Sequence, residues 1–249
     1  MLRFDLSTVK LFPSDKINAS AVTAFKAHCM SNPPQRARDT YHVGNLAPQL
    51  LSAARDMLEE VGPTKLSLRA VSERVGVSST AAYHHYANRA ELIGHLAAQG
   101  FRELAKALRI DNEHDNSRQK LRAASLAYFS LARDNPALYQ LMFGPELADS
   151  DSDIPLEFRD ARDEAFCELK RIIAGILKEE MDSIEVRRAA LAGWSYTHGL
   201  ASLVIHGVLQ FPTSTTDARF VDSALQGFEH LFRAGAVKGL EEKQPNRAS

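Results

Sequence analysis

From Leu46 onward the apolar residues recur at three- and four-residue intervals, the period of helices that bury one face and wet the other. Leu46, Leu50, Ala53, Ala54, Met57, Leu58 and Val61 share one face, and Gly62-Pro63 stops that helix. Leu68, Val71 and Val75 form a second, shorter stripe, with Arg69, Glu73 and Arg74 on the wet side. Ser67 is placed to cap this helix, its hydroxyl accepting a free backbone N–H. Gly76 supplies the positive φ of a sharp turn, Val77 re-enters the core, and Ser78 is placed to cap the helix that follows. Asn88-Arg-Ala-Glu91 reads as a capping box opening a helix through Leu92, Leu96, Phe101, Leu104 and Leu108.

The remainder carries the same period. Lys120 to Asp134, Ala137 to Phe143, Glu157 to Met181, Ser183 or Ile184 to Leu209, and Asp217 to Ala234 each predict a helix, the last stopped by Gly235. No segment alternates as a strand does, and no internal repeat is present. The fold class expected is all-α. The polar run Asp111 to Ser117 marks a domain boundary, which divides the chain into an N-terminal bundle over 41–109 and a larger C-terminal helical domain over 110–240. Residues 1–40 lack helical period, and their proline-rich, basic end, NPPQRARDT, reads as a flexible leader with Met30 as a candidate translation start. Residues 241–249 read as a loose polar tail.

Composition changes little of this. With 30 Lys and Arg against 31 Asp and Glu the net charge is −1, so any nucleic-acid site must be a local face on a neutral chain. Leu191 to Phe211 contains no Asp, Glu, Lys or Arg, yet two histidines and three glycines keep it short of a membrane span. It is expected to be buried on nearly all sides, by its own domain and a partner subunit. No export signal is visible, so a cytoplasmic location and reduced thiols at the widely separated Cys29 and Cys167 are expected. The acidic run DSDSD at 149–153 lacks the glycine and the distal glutamate of a calcium loop. No metal and no cofactor are expected.

The chemistry concentrates in Ser67 to Arg89. Ser72, four residues before Gly76, is small enough for two helices to cross closely. The outer side of the second helix offers Ser79, Thr80, Tyr83 and His84, short polar or aromatic groups without a carboxylate, a surface that fits a DNA major groove. Arg89 at the next helix start is placed for a phosphate. Trp194 and His198 share a helical face, either as wall and polar handle of a pocket or as a packed aromatic and a satisfied core histidine. Tyr128, Tyr139, Met142, Phe143 and Phe166 line an apolar cavity or are ordinary core, and periodicity does not separate the two. No nucleophile elbow, phosphate-binding glycine loop or H-E-x-x-H motif points to an enzyme. Besides an enzyme, the competing class is an architectural DNA binder, against which the large aromatic second domain speaks.

The run LSLRAVSERVGVSSTAAYHHYANRAEL, preceded by AARDMLEEVG, resembles the DNA-binding domain of TetR-type transcriptional regulators. YHVGNL upstream, NPALYQLMFG at 135–144 and WSYTHGLASL at 194–203 resemble the subgroup whose C-terminal domain carries a Trp-x-x-x-His-Gly signature. The resemblance implies an all-helical homodimer that binds a double-stranded operator through a helix-turn-helix over 67–86 and a small effector through its C-terminal domain. It implies base or backbone contact for Arg69, base contacts for Ser79, Thr80, Tyr83 and His84, support of a backbone contact by His85, and phosphate binding by Arg89. Two positions depart from the family pattern: Ala81 stands where Thr or Ser is usual, and Ala82 where a larger aliphatic is common.

Overall fold

A computed structural model describes residues 46–109, 117–147 and 155–241, with the side chains of 231–241 left aside. The leader with Met30, the residues of the predicted linker before Ser117, the acidic run and the tail after Glu241 lie outside the described residues. Within them the chain is helical and without strands: α1 (Leu46–Val61), α2 (Leu68–Val75), α3 (Ser79–Tyr83), α4 (Arg89–Leu108), α5 (Ser117–Asp134), α6 (Pro136–Phe143), α7 (Leu156–Leu177), α8 (Ile184–Ile205) and α9 (Asp217–Glu241). Short 3-10 turns at Pro63–Lys65 and Pro145–Leu147 complete the order.

The central helix is α4. Leu92, Ile93, Leu96, Phe101, Leu104 and Leu108 are all but fully buried, because α4 packs on α1 at one end and against α5, α6 and α7 along its length. Gly100 makes one of these crossings possible: a Cβ there would lie 2.6 Å from the Met142 sulfur and 2.9 Å from Leu138, so α6 rests directly on the α4 backbone. Ion pairs fasten α4 to α7 outside this core, Arg102 to Glu157 near one end and Arg109 to Glu164 and Glu168 at the other.

Two side chains of α1 reach α6. The Glu59 carboxylate accepts the backbone N–H groups of Ala137 and Leu138 at 3.1 Å each, which caps α6 from outside its own segment. Arg55 donates to Asn135 at 2.7 Å and to Glu103 at 3.3 Å. The N-terminal bundle and the second set of helices are thus held together by polar ties as well as by packing.

Several helix ends differ from expectation. The α8 helix stops at Ile205, where Gly207 turns at φ 70°, rather than running to Leu209. The α7 helix stops at Leu177 with Lys178 in the left-handed conformation, a role the sequence does not advertise because glycine is the usual occupant. The α9 helix passes through Gly235 to Glu241, since a glycine weakens a helix without breaking it. On α8 only the stripe Val186, Ala190, Trp194, Thr197 and Ala201 is buried; Leu203 is exposed, so its own chain does not enclose the helix on nearly all sides. Among the described residues no helix is long and apolar enough to cross a membrane. Cys167 is disulfide-bonded rather than the reduced thiol expected, and Cys29 lies outside the described residues.

Candidate nucleic-acid interface

The turn between α2 and α3 follows from its residues. The Ser67 hydroxyl accepts the Ala70 N–H at 3.2 Å and the Ser78 hydroxyl accepts the Ala81 N–H at 3.2 Å, so both helices start on the predicted caps. Gly76 sits at φ 80°, and the Val77 N–H reaches back to the Ser72 carbonyl at 3.0 Å, closing α2 in a Schellman arrangement. Ser72 is fully buried at the crossing. Its hydroxyl donates to the Arg69 carbonyl at 2.7 Å and lies 3.3 Å from the Ser79 hydroxyl.

This crossing sorts the candidate contacts. Thr80, Tyr83, His84 and His85 are exposed on or just after α3, and Tyr83 keeps 51% of its surface. Ser79 is half-buried, with its hydroxyl turned to Ser72. Arg69 is exposed and pairs with Glu73 at 3.0 Å, a solvent-screened contact that an approaching phosphate can replace. Ala82 is fully buried, and one turn on Tyr86 is buried in the same core. That ring packs edge-on to His95 at 5.6 Å, and its hydroxyl donates to the Ala47 carbonyl at 3.0 Å. Sequence reasoning gave Tyr86 no role; its signal was the four-residue offset from Ala82, which places it one turn on along the inward face.

Arg89 is placed differently from a free phosphate ligand. Its Nε donates to the Leu66 carbonyl at 2.8 Å and its Nη2 to the Pro63 carbonyl at 2.6 Å, so it ties the start of α4 to the turn that leads into α2. Asn88 caps α4 through the Glu91 N–H at 2.8 Å, and Glu91 reaches back to Ala87 rather than to Asn88.

The second group of candidates is a stacked aromatic cluster. Tyr128 packs edge-on to Trp194 at 5.9 Å, Phe143 lies 4.7 Å from the His198 ring, and Phe166 is 5.5 Å from Trp194. The hydroxyls of Tyr128 and Tyr139 lie 2.9 and 2.8 Å from His198 Nδ1, and Tyr139 also donates to the His198 carbonyl at 3.1 Å. Burial pushes both tyrosines well above their usual range, so each hydroxyl keeps its proton. Burial, with a smaller contribution from His206, holds the His198 pKa below its ordinary 6.5. Both hydroxyl protons find acceptors when Tyr128 donates to Nδ1 and Tyr139 to the carbonyl, which leaves Nε2 of the neutral ring carrying its proton.

Beside Trp194 the packing leaves a void of about 20 Å³, lined by Tyr128, Trp194 and Thr197 among others. Met142 and Phe166 are buried in the core and line neither this void nor the larger cleft. The larger space lies beside them. A cleft of about 630 Å³ opens between the Val61–Lys65 turn, the end of α6 with Pro145 and Glu146, and His198, Ser202 and His206 of α8. Tyr139, Phe143 and His198 line it. Among the described residues no cluster of acidic, histidine or cysteine side chains is arranged to hold a metal.

Comparison with known proteins bears on both halves of the chain. Residues 50–96 match the family model described as bacterial regulatory proteins, tetR family, and residues 121–243 match a tetracyclin repressor-like C-terminal domain. A protein of unknown function from Rhodococcus sp. RHA1 is 28% identical, covers 77% of this chain and 97% of its own, and superposes with a TM-score of 0.62. A tetR-family regulatory protein from Rhodococcus RHA1 is 21% identical over 74% of this chain and 97% of its own, with a TM-score of 0.52. Similar in fold is the transcriptional regulator FadR from Bacillus subtilis in complex with stearoyl-CoA, 19% identical over 72% and 95%, with a TM-score of 0.52. No curated protein matches. With a capped helix pair turned outward at Gly76 and matches to both the N-terminal and the C-terminal model, the chain belongs to the TetR family of bacterial regulatory proteins.

Proposed function

We propose that this DNA-binding regulator acts as a homodimeric repressor, released from a palindromic operator by a small-molecule effector. The observation that carries the DNA contact is the exposed surface of Thr80, Tyr83 and His84 on a segment braced from behind by Ala82 and Tyr86. Thr80, Tyr83 and His84 meet base edges, Arg69 and His85 the flanking backbone, and Ser79 supports the crossing. Two such heads related by a two-fold axis read half-sites about one helical turn apart, which requires a roughly palindromic site. The domain division at 41–109 and 110–240 and the subgroup signature of Trp194, His198 and Gly199 belong to the same proposal. Its support for an effector is the cleft next to the aromatic cluster, lined by three of the seven expected pocket residues.

Selection of the full-length protein against random duplex DNA tests this reading. A palindromic consensus is the expected outcome, with Tyr83→Ala costing about 1–3 kcal/mol at particular bases. Absence of any sequence preference would sink it.

A further inference from the structure

We propose that the 630 Å³ cleft is the binding site for a small amphiphilic carboxylate, and that its occupancy is the releasing signal; the second half rests on the ligand-responsive reading above. The volume is that of a drug-sized ligand site. Its lining mixes two kinds of group: Val61, Pro63, Tyr139 and Phe143 supply apolar surface, and Lys65, His198 and His206 supply polar groups.

His198 sets the sign of the ligand. Its Nδ1 is taken by the tyrosine hydroxyls, whereas Nε2 has no hydrogen-bond partner and keeps some exposure, on a residue that lines the cleft. A half-buried N–H donor without a partner calls for an acceptor, and a charged acceptor makes the stronger bond. Lys65 on the facing wall adds a cation. The opposing charge is Glu146, whose Oε1 accepts from Thr64 at 3.4 Å, and it disfavours an anionic group in its own vicinity. An acid with an apolar body answers both kinds of lining; a neutral ligand leaves the Lys65 ammonium and the His198 N–H unanswered.

The same walls reach the reading segment. The Pro63 and Leu66 carbonyls bind the Arg89 guanidinium at the first residue of α4, directly after the presented helix. The opposite wall, α6, is tied to α1 by Glu59 and Arg55. A ligand wedged between them loads these ties and turns the reading head against the body.

Trp194, the single tryptophan, lies 6.2 Å from the Phe143 ring and reports on occupancy through its fluorescence. The full-length protein is titrated with decanoate and 4-phenylbutyrate and with their primary amides. Saturable binding of at least one acid is expected, with its amide weaker by about ten-fold or more, and with Lys65→Met and His198→Gln each weakening the acid about ten-fold. Lys65 is exposed, so its variant tests the site even if the His198 variant does not fold. Neither acid binding, an amide binding as well as its acid, or Lys65→Met binding unchanged would overturn the site. Affinity for the selected DNA should fall about ten-fold or more when the acid saturates the cleft. Lys65-dependent binding that leaves DNA affinity unchanged upholds the site and overturns the signal.

Discussion

Arg89 shows how one residue type can sit where two roles meet. Its guanidinium spends two donors on the carbonyls of Pro63 and Leu66, both on buried residues, so losing it leaves acceptors short of a donor. Arg89→Ala is therefore expected to lower folding stability by about 1–3 kcal/mol in urea denaturation. Lys in its place does not restore the loss, since an ammonium cannot span both carbonyls in the same plane. An unchanged denaturation midpoint would return Arg89 to a purely phosphate-contacting role. The capping serines, by contrast, act where the pattern places them, because a cap needs only its own first turn.

At the scale of elements, α6 is the instructive case. It is eight residues long, begins at Pro136 without a side-chain cap of its own, and takes its cap from Glu59 in α1. Negative charge at a helix start also meets the helix dipole. Glu59→Ala should cost about 1–2 kcal/mol and speed amide exchange over Ala137 to Phe143, a local loss that mass-resolved hydrogen exchange detects. Gly100 makes the complementary case from packing. Gly100→Leu must push α6 off α4, and a destabilisation of about 1–3 kcal/mol or more is expected from overpacking. If the variant melts as the parent does, the close crossing is not what holds the two helices.

For the molecule as a whole the aromatic cluster makes stability depend on pH. The folded His198 pKa lies below the ordinary value of 6.5, so the unfolded chain binds more protons from about 6.5 down to that lower value. Its contribution is present in full above this window and is lost as pH falls through it. Urea midpoints measured from pH 7.5 to 5 should decline more steeply for the parent chain than for His198→Phe. Equal slopes would show that other groups carry the acid sensitivity. Since His198 also opens on the cleft, protonation and ligand act on the same ring.

The all-α class, the capped helix pair and the outward position of Thr80, Tyr83 and His84 follow from the sequence itself. Hydrophobic period, glycine conformation and capping are properties of neighbouring residues, and they operate before any distant contact forms. What only the tertiary structure decided depends on groups brought together from far along the chain. Ser79 turned to Ser72 because two helices cross there, and Tyr86 turned inward to bond the Ala47 carbonyl on α1. The expected pocket divided likewise. Tyr128, Met142, Phe166 and Trp194 pack into the core, while Tyr139, Phe143 and His198 reach a cleft whose other wall is the Val61–Lys65 turn. A helical stripe marks which face is apolar; whether that face meets another side chain or empty space is set by the elements that dock on it, and their docking is not written in any one helix.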